Sequence, residues 1–290
     1  MVTNMRTTTL RGGVEMPLIG FGTFQIWQQE AAREAVSQAL DAGYRLIDTA
    51  AGYFNEEGVG RAIRQSSVPR EQIVLTSKLW PTDASYAGAK VAVQRSLNHL
   101  GVDYIDVYLL HQALGDYYGA WRALTEMQQA GYIRSIGVSN FNAGRLYDLA
   151  QFSGVVPAVN QIELNPWRQQ RATRKTAAKL GTVIEAWSPF AQGRDGIFSN
   201  SVITTIAARH HVTTAQVILR WATQQGIIVI PKSVHRQRMD ANLAATDFDL
   251  TEAEIAEIAR LDRYPDDPGA VNSPQLIERL LAIDPAGKHE

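Results

Sequence analysis

The sequence predicts a (β/α)8 barrel of the TIM type, built as one domain from the 290 residues of the chain. Short apolar segments alternate with longer amphipathic segments, and eight such units can be counted. The short segments are almost continuously apolar, as expected for parallel strands that are covered on both faces. Composition does not shift in the middle of the chain, and barrels of this class commonly reach this length as a single domain.

Eight segments are predicted as barrel strands because each is short and rich in apolar or β-branched residues. In chain order they are residues 18–21, 46–48, 73–77, 105–110, 133–138, 158–162, 183–187 and 227–230. Ahead of them, Gly12 and Gly13 predict the turn of an N-terminal β-hairpin. The alternative fold is a doubly wound sheet, whose nucleotide-binding form would need a third glycine after Gly20 and Gly22; the sequence lacks it.

Helices are predicted between the strands, where apolar residues recur at the three- and four-residue spacing of one helix face. The clearest are residues 31–42, 86–100 and 214–223. Residues 236–244 are predicted as the helix that follows the last strand. Thr213 with Gln216, and Thr251 with Glu254, have the spacing of capping boxes, which begin helices. The last part of the chain, from about residue 264 to residue 290, is richer in Pro and Asp and is expected to pack on the barrel as a tail.

Composition excludes several classes of protein. Lys and Arg total 28 and Asp and Glu total 29, so a net charge of −1 argues against nucleic-acid or anionic-membrane binding. The absence of cysteine excludes disulfides, thiolate metal sites and cysteine nucleophiles, and the six histidines show no metal-ligand spacing. No apolar run reaches membrane-span length and no signal core is present, so we expect a cytoplasmic protein. Because a barrel closes its own sheet edges, we also expect a monomer.

Polar residues follow three of the predicted strands. Asp48, Lys78 and His111 are 30 and 33 residues apart, which is about one β/α unit for each step. Since the carboxyl ends of barrel strands meet at one mouth, these side chains should converge there. Tyr53, five residues after Asp48, should join them.

These residue types suit the protonation of an oxygen. A tyrosine hydroxyl has an ordinary pKa of about 10, and a nearby ammonium lowers it by stabilising the phenolate. Lys78 could have this effect on Tyr53, while Asp48 holds Lys78 charged and oriented. His111 could orient a bound carbonyl oxygen, so that Tyr53 protonates the developing alkoxide.

At this point the sequence resembles the aldo-keto reductase family. The first matching segment is Gly43-Tyr-Arg-Leu-Ile-Asp-Thr-Ala-Ala-Gly-Tyr-Phe-Asn-Glu56. Five further segments match in the same order, at residues 77–80, 109–111, 137–141, 160–166 and 230–233. The resemblance extends over about residues 10 to 262 and is strongest to short bacterial reductases such as the 2,5-diketo-D-gluconate and methylglyoxal reductases. It implies NADPH-dependent reduction of small α-dicarbonyls, keto sugars or aromatic aldehydes.

The resemblance also implies a role for each matching residue. Tyr53 would be the proton donor, with Lys78 and Asp48 tuning it, and His111 would orient the carbonyl. The implied NADPH contacts are Gly22, Thr23, Asp48, Ser139, Asn140, Gln161, Trp187, Ser188, Pro189, Phe190, Gln192, Lys232, Ser233, Val234, Arg238 and Asn242. The implied substrate contacts are Phe24, Trp27, Tyr53, Trp80 and His111.

The cofactor contacts divide along the length of the cofactor. The resemblance assigns Ser139, Asn140 and Gln161 to the nicotinamide carboxamide and Trp187 to the face of its ring. The segment from Ser188 to Gln192 would line the pyrophosphate, and Asn242 the adenine. Lys232, Ser233 and Arg238 would hold the 2′-phosphate, which also makes physical sense, because two cations and a hydroxyl near a helix start form an anion site.

Two residues depart from the family pattern. Many members carry Trp after the histidine, but Gln112 follows His111 here, which predicts a more open and polar pocket on that side. The family often has Glu before the adenine-contacting Asn, but Ala241 precedes Asn242, so one adenine contact is in doubt.

Three other functions are compatible with parts of the sequence. Lys78 at a barrel strand end could form a Schiff base with a carbonyl substrate. The chain could instead be an NADPH-binding, redox-sensing subunit with weak turnover. Glu163 and Glu185 invite a glycosidase interpretation, in which two carboxylates flank the bond to be cleaved.

Overall fold

A parallel sheet lies at the centre of the computed structural model, which describes residues 6–264 and 273–287. Its eight strands pair in chain order. They are Phe21–Gly22 (β3), Leu46–Asp48 (β4), Val74–Leu79 (β5), Ile105–Leu110 (β6), Ile133–Ser139 (β7), Val159–Glu163 (β8), Val183–Trp187 (β9) and Ile228–Val229 (β10). A separate antiparallel pair, Thr7–Thr9 (β1) and Glu15–Pro17 (β2), forms the predicted N-terminal hairpin.

The sheet curls so that its first and last strands meet. Ile19 and Val229 form a parallel bridge, and the backbone amide of Gly22 donates to the carbonyl of Pro231 at 3.3 Å. A Cβ atom on Gly22 would lie 2.8 Å from the Ile230 carbonyl oxygen, so the two segments can approach this closely only with glycine here. The arrangement is consistent with the predicted (β/α)8 barrel.

The observed strands differ from the predicted segments mainly at their ends. The prediction of 18–21 for the first barrel strand is wrong at both ends, because Ile19 bridges to the last strand while Phe21 and Gly22 pair with β4. Three strands run further toward their carboxyl ends than predicted: β5 to Leu79, β7 to Ser139 and β8 to Glu163. Candidate site residues on these strands are therefore held by sheet pairing rather than by loops.

Helices follow the strands, as expected for β/α units. Their bounds are Gln29–Ala42 (α1), Glu56–Gln65 (α2), Tyr86–Leu100 (α3), Tyr117–Gln129 (α4), Ala143–Ser153 (α5), Arg171–Leu180 (α6), Ser201–His210 (α7), Thr214–Thr223 (α8), Arg236–Leu243 (α9), Glu252–Ala259 (α10) and Pro274–Leu281 (α11). The predicted bounds of α3 and α8 are confirmed, and both predicted capping boxes are present. No helix in the described ranges is long and apolar enough to span a membrane.

Apolar side chains fill the amino-terminal half of the space enclosed by the sheet. The N-terminal hairpin and its flanks, at Leu10, Val14, Met16 and Leu18, pack there with strand residues Leu46, Val107, Leu109, Val159 and Ile228. Burying a large aliphatic side chain contributes about 1.5–3 kcal/mol, so this packing stabilises the closed sheet. With this end filled, polar side chains and a cavity occupy the carboxyl end.

The C-terminal tail reaches the same carboxyl end. The indole nitrogen of Trp80, which follows β5, donates to the Leu280 carbonyl oxygen of α11 at 3.0 Å. The tail predicted over 264–290 therefore contacts, through α11, the segment that follows β5, while 265–272 and 288–290 lie outside the described residues.

Candidate active site

A cavity of about 670 Å³ opens at the carboxyl ends of the strands. Most of the predicted site residues line it, namely Gly22, Phe24, Trp27, Asp48, Tyr53, Trp80, His111, Ser139, Asn140, Gln161, Trp187, Ser188, Pro189, Phe190, Gln192 and Lys232. Six predicted residues do not line it: Thr23, Lys78, Ser233, Val234, Arg238 and Asn242.

Lys78 lies beneath the cavity and connects the residues at its floor. Its side chain is fully buried, and the Nζ atom donates to Asp48 Oδ1 at 2.7 Å and to the Thr49 carbonyl oxygen at 2.9 Å. It also contacts the Tyr53 hydroxyl oxygen at 3.3 Å. These three partners use the three protons of the ammonium. The Tyr53 hydroxyl proton is thereby left to point to a ligand in the cavity.

Burial and neighbouring charges have opposite effects on the pKa values of Lys78 and Tyr53. Burial alone would lower the pKa of Lys78, but Asp48, Tyr53 and Glu185 together outweigh burial and hold that pKa above its ordinary value. Burial raises the pKa of Tyr53 and exceeds the lowering effect of Lys78. The expectation that Lys78 would lower the pKa of Tyr53 identified one interaction but missed the larger effect of burial. At neutral pH Tyr53 therefore keeps its proton and Lys78 its charge.

His111 presents a neutral imidazole to the cavity. Its ring centre lies 5.6 Å from that of Tyr53 and 4.9 Å from that of Trp80, with edge-to-face geometry in both pairs. Burial and the positive charge of Lys78 lower the pKa of His111 well below its ordinary value. The Nδ1 atom is buried without a hydrogen-bond partner among the described residues. A neutral imidazole has one N–H donor and one acceptor nitrogen, which suits hydrogen bonding to a ligand in the cavity that His111 lines.

Two polar side chains and an indole are connected on one wall of the cavity. Asn140 Nδ2 donates to the His111 carbonyl oxygen and to Ser139 Oγ, both at 3.1 Å. The indole nitrogen of Trp187 donates to Asn140 Oδ1 at 3.0 Å, which fixes the orientation of the indole. Ser139 Oγ in turn donates to the Gln161 carbonyl oxygen at 2.9 Å. This wall therefore offers a flat aromatic surface beside amide groups.

The wall continues toward cations at the start of α9. Ser188 Oγ is buried with no hydrogen-bond partner in residues 6–264 and 273–287, and Lys232 and Arg238 are exposed. Neither cation forms an ion pair within the described part of the chain. An aromatic plane, amides, an unsatisfied hydroxyl and two free cations in sequence suit a dinucleotide that carries an additional phosphate. These residues therefore fit NADPH.

The remaining predicted residues have other surroundings. The Thr23 hydroxyl donates to the Asp48 carbonyl oxygen at 2.9 Å, and Asn242 is a buried residue of α9. Ser233 is buried and Val234 is exposed, next to Lys232. Phe24 and Trp27 are 44% and 52% exposed, and they form the rim of the cavity.

Several residues near the site were not identified from the sequence. Asn55 is buried, accepts from the Thr49 hydroxyl at 2.6 Å, and donates to the carbonyls of Thr23 and Ile26. It thereby connects the loop that carries Phe24 to the turn that carries Tyr53. Its position inside the matching segment 43–56 was an available signal. Leu280 and Ile283 of the tail also line the cavity, and no local pattern indicated this.

The comparisons with known proteins agree with one another. A family model described as "Aldo/keto reductase family" matches residues 18–196 and 197–263. An aldo-keto reductase of Mycolicibacterium smegmatis is 45% identical over 270 residues, covering 91% of this chain and 97% of that protein. The methylglyoxal reductase DkgA of Escherichia coli K12 is 43% identical over 263 residues, covering 90% of this chain and 94% of that protein.

Solved structures agree as well. The crystal structure of an aldo-keto reductase of Bombyx mori in complex with NADP superposes with a TM-score of 0.87 at 33% identity. It covers 95% of this chain and 97% of that chain, so the similarity includes the sheet, the surrounding helices and the strand ends.

Proposed function

The chain belongs to the aldo/keto reductase family, and from this membership we propose that it reduces small aldehydes and ketones to alcohols with NADPH. It is an NADP-dependent oxidoreductase. The observation that carries the proposal is the Tyr53 hydroxyl, held 3.3 Å from a buried ammonium at the wall of a cavity that suits nicotinamide. We also infer that the chain folds as a closed (β/α)8 barrel. We infer that it acts as a monomer.

The roles of the chain's own residues follow from their protonation states. When bound, NADPH supplies the hydride that reduces the carbonyl carbon. Tyr53 donates its proton to the carbonyl oxygen, and the positive charge of Lys78 stabilises the phenolate left behind. Neutral His111 donates a hydrogen bond to the same oxygen and orients it.

The cavity walls support a range of small carbonyl substrates. Phe24, Trp27 and Trp80 form an apolar side that could contact an aromatic or aliphatic group. Gln112 also lines the cavity, and its buried Oε1 atom has no partner among the described residues. The amide oxygen can accept from a substrate hydroxyl and the amide nitrogen can donate to a second carbonyl, which favours substrates with a second polar group. We therefore propose α-dicarbonyls and keto sugars as substrates, along with aromatic aldehydes. Names among the relatives include methylglyoxal reductase and glyoxal reductase.

A single assay tests the proposal. The purified protein is mixed with NADPH and, in turn, methylglyoxal, a keto sugar and an aromatic aldehyde, and the absorbance at the NADPH band is followed. We expect carbonyl-dependent loss of NADPH and formation of the alcohol in equal amounts. Tight NADPH binding without turnover across the whole panel would instead favour a redox-sensing subunit.

A Schiff-base mechanism at Lys78 has less support. The Nζ atom is fully buried beneath the cavity, and Asp48, Thr49 and Tyr53 occupy its three protons. Attack on a carbonyl needs a neutral, accessible amine, whereas Asp48 holds Lys78 charged. Borohydride trapping with a carbonyl substrate should therefore yield no adduct at this lysine.

We expect Lys232 and Arg238 to determine the preference for NADPH over NADH. Replacing Lys232 and Arg238 together with alanine should raise the KM for NADPH by about 10²-fold or more, because two charge-assisted hydrogen bonds are lost and each contributes about 1.5–3 kcal/mol. The KM for NADH should change little, since NADH lacks the additional phosphate. Steady-state kinetics with both cofactors measures the ratio.

Arg236→Ala is the matched control for this prediction. Arg236 begins the same helix but pairs with Asp240 at 2.8 Å, so its removal should leave both KM values unchanged. Equal losses for NADPH and NADH in the double variant would show that the cations do not recognise the 2′-phosphate.

A further inference from the structure

Glu185 is a buried acid that the mechanism above does not use. It lies in the middle of β9, is completely buried, and pairs in register with Gln161 of β8. It does not line the cavity, whereas Gln161 does. Burying a carboxyl group completely has a large cost unless it has partners, so its presence next to the site calls for a physical account.

Gln161 connects this acid to the residues at the floor of the cavity. Its Nε2 atom donates to Asp48 Oδ2 at 2.8 Å and to Glu185 Oε2 at 3.1 Å. An amide nitrogen has two hydrogens, so both are used by the two carboxyl groups. The amide oxygen of Gln161 then lies on the other side of the amide group, free to accept a hydrogen bond. The two acids together therefore fix which way round this amide is held.

We propose that Glu185 is a positioning residue, which orients the Gln161 amide toward the nicotinamide carboxamide and adjusts the charge beneath Tyr53. This inference rests on the proposed function. Glu185 acts through Gln161 and through space and does not itself touch substrate or cofactor.

The charges around Glu185 determine its protonation state at neutral pH. The titratable groups that act on it or respond to it are Asp48, Lys78 and Tyr53. Burial and the charge of Asp48 raise the pKa of Glu185 to about 8. At pH 7 Glu185 is therefore mostly neutral, and the charges of Asp48 and Lys78 balance each other.

Above pH 8 a Glu185 carboxylate adds negative charge to the same region. That charge raises the pKa of both Tyr53 and Lys78, because it disfavours the phenolate and favours the ammonium. Removing the carboxylate should lower the pKa of both Tyr53 and Lys78. The alkaline limb of the pH profile for carbonyl reduction should then move to lower pH.

Two substitutions separate the two parts of this role. Glu185→Gln keeps an oxygen that can accept from Gln161 but cannot ionise, whereas Glu185→Leu removes both properties. We expect the Kd for NADPH, measured by fluorescence titration, to stay within about twofold in Glu185→Gln and to rise roughly three- to tenfold in Glu185→Leu. In both variants the alkaline limb of kcat against pH should move down by roughly half a pH unit or more.

Glu56→Gln provides a matched control. Glu56 is another buried glutamate, but it accepts from the Ser77 hydroxyl at 2.6 Å and is not among the groups acting on Tyr53. This variant should keep the wild-type NADPH affinity and the wild-type alkaline limb. It tests for effects that follow from removing any buried carboxyl group.

The outcomes are distinct. Wild-type NADPH affinity in Glu185→Leu, together with an unmoved alkaline limb in both variants, would overturn the positioning role. If the leucine variant does not fold, an unmoved limb in Glu185→Gln overturns it alone. A wild-type protein without turnover on any carbonyl would overturn the proposed function, and the NADPH affinities of the variants would still decide whether Glu185 positions Gln161.

Discussion

Tyr53→Phe should lower kcat for carbonyl reduction by about 10²- to 10⁴-fold, the range over which general acid catalysis contributes. The substitution removes only the hydroxyl that contacts Lys78 at 3.3 Å. The aromatic ring should stay in place, because Phe24 and His111 pack against it with ring centres 5.0 Å and 5.6 Å away. The Kd for NADPH should therefore remain within about twofold of the wild-type value.

Steady-state turnover and fluorescence titration of NADPH measure these two quantities. Tyr108→Phe is the matched control, because it removes the hydroxyl of another buried tyrosine, whose partner is Ser96 on α3. That variant should retain nearly full kcat. A Tyr53→Phe enzyme with more than a tenth of the wild-type kcat would rule out Tyr53 as the proton donor.

Lys78→Met should affect both folding and catalysis. It removes one partner of a fully buried ion pair and leaves the Asp48 carboxylate without its cation, which should lower the free energy of unfolding by about 3–5 kcal/mol. It also removes the charge that stabilises the Tyr53 phenolate, so kcat should fall by about 10²-fold or more.

Adding Asp48→Asn to Lys78→Met separates these effects. The double variant has no buried unpaired charge, so urea unfolding should show that much of the lost stability returns, while kcat should stay low. Recovery of activity together with stability would mean that the pair is needed only for folding. A single Lys78→Met variant as stable as the wild type would contradict the energetic argument for the pair.

The arrangement of the fold could be predicted from the sequence because each β/α unit has its own local signal. Apolar runs, capping boxes such as Thr251 with Glu254, and turn glycines determine the elements one by one. The first barrel strand was misplaced because its ends depend on the seam, where Ile19 pairs with Val229 from the far end of the chain. No local pattern reports that pairing.

Much of the candidate site was also accessible from the sequence. Asp48, Lys78 and His111 were expected to converge because carboxyl ends of barrel strands share one mouth, and the structure brings them to one cavity floor. The link between Gln161 and Glu185 was not foreseen, because it depends on the depth of side chains from neighbouring strands. The raised pKa of Tyr53 was missed for the same reason, since burial results from residues packed over it.

The two ends of the described chain lie at opposite ends of the strands. The N-terminal hairpin packs with the apolar side chains at the amino-terminal ends of the strands, whereas α11 accepts a hydrogen bond from Trp80 at the mouth of the cavity. An enzyme attached to a solid support should therefore be anchored through its N-terminus. That orientation turns the substrate entrance toward the flowing solution, and a C-terminal anchor would hold it against the resin.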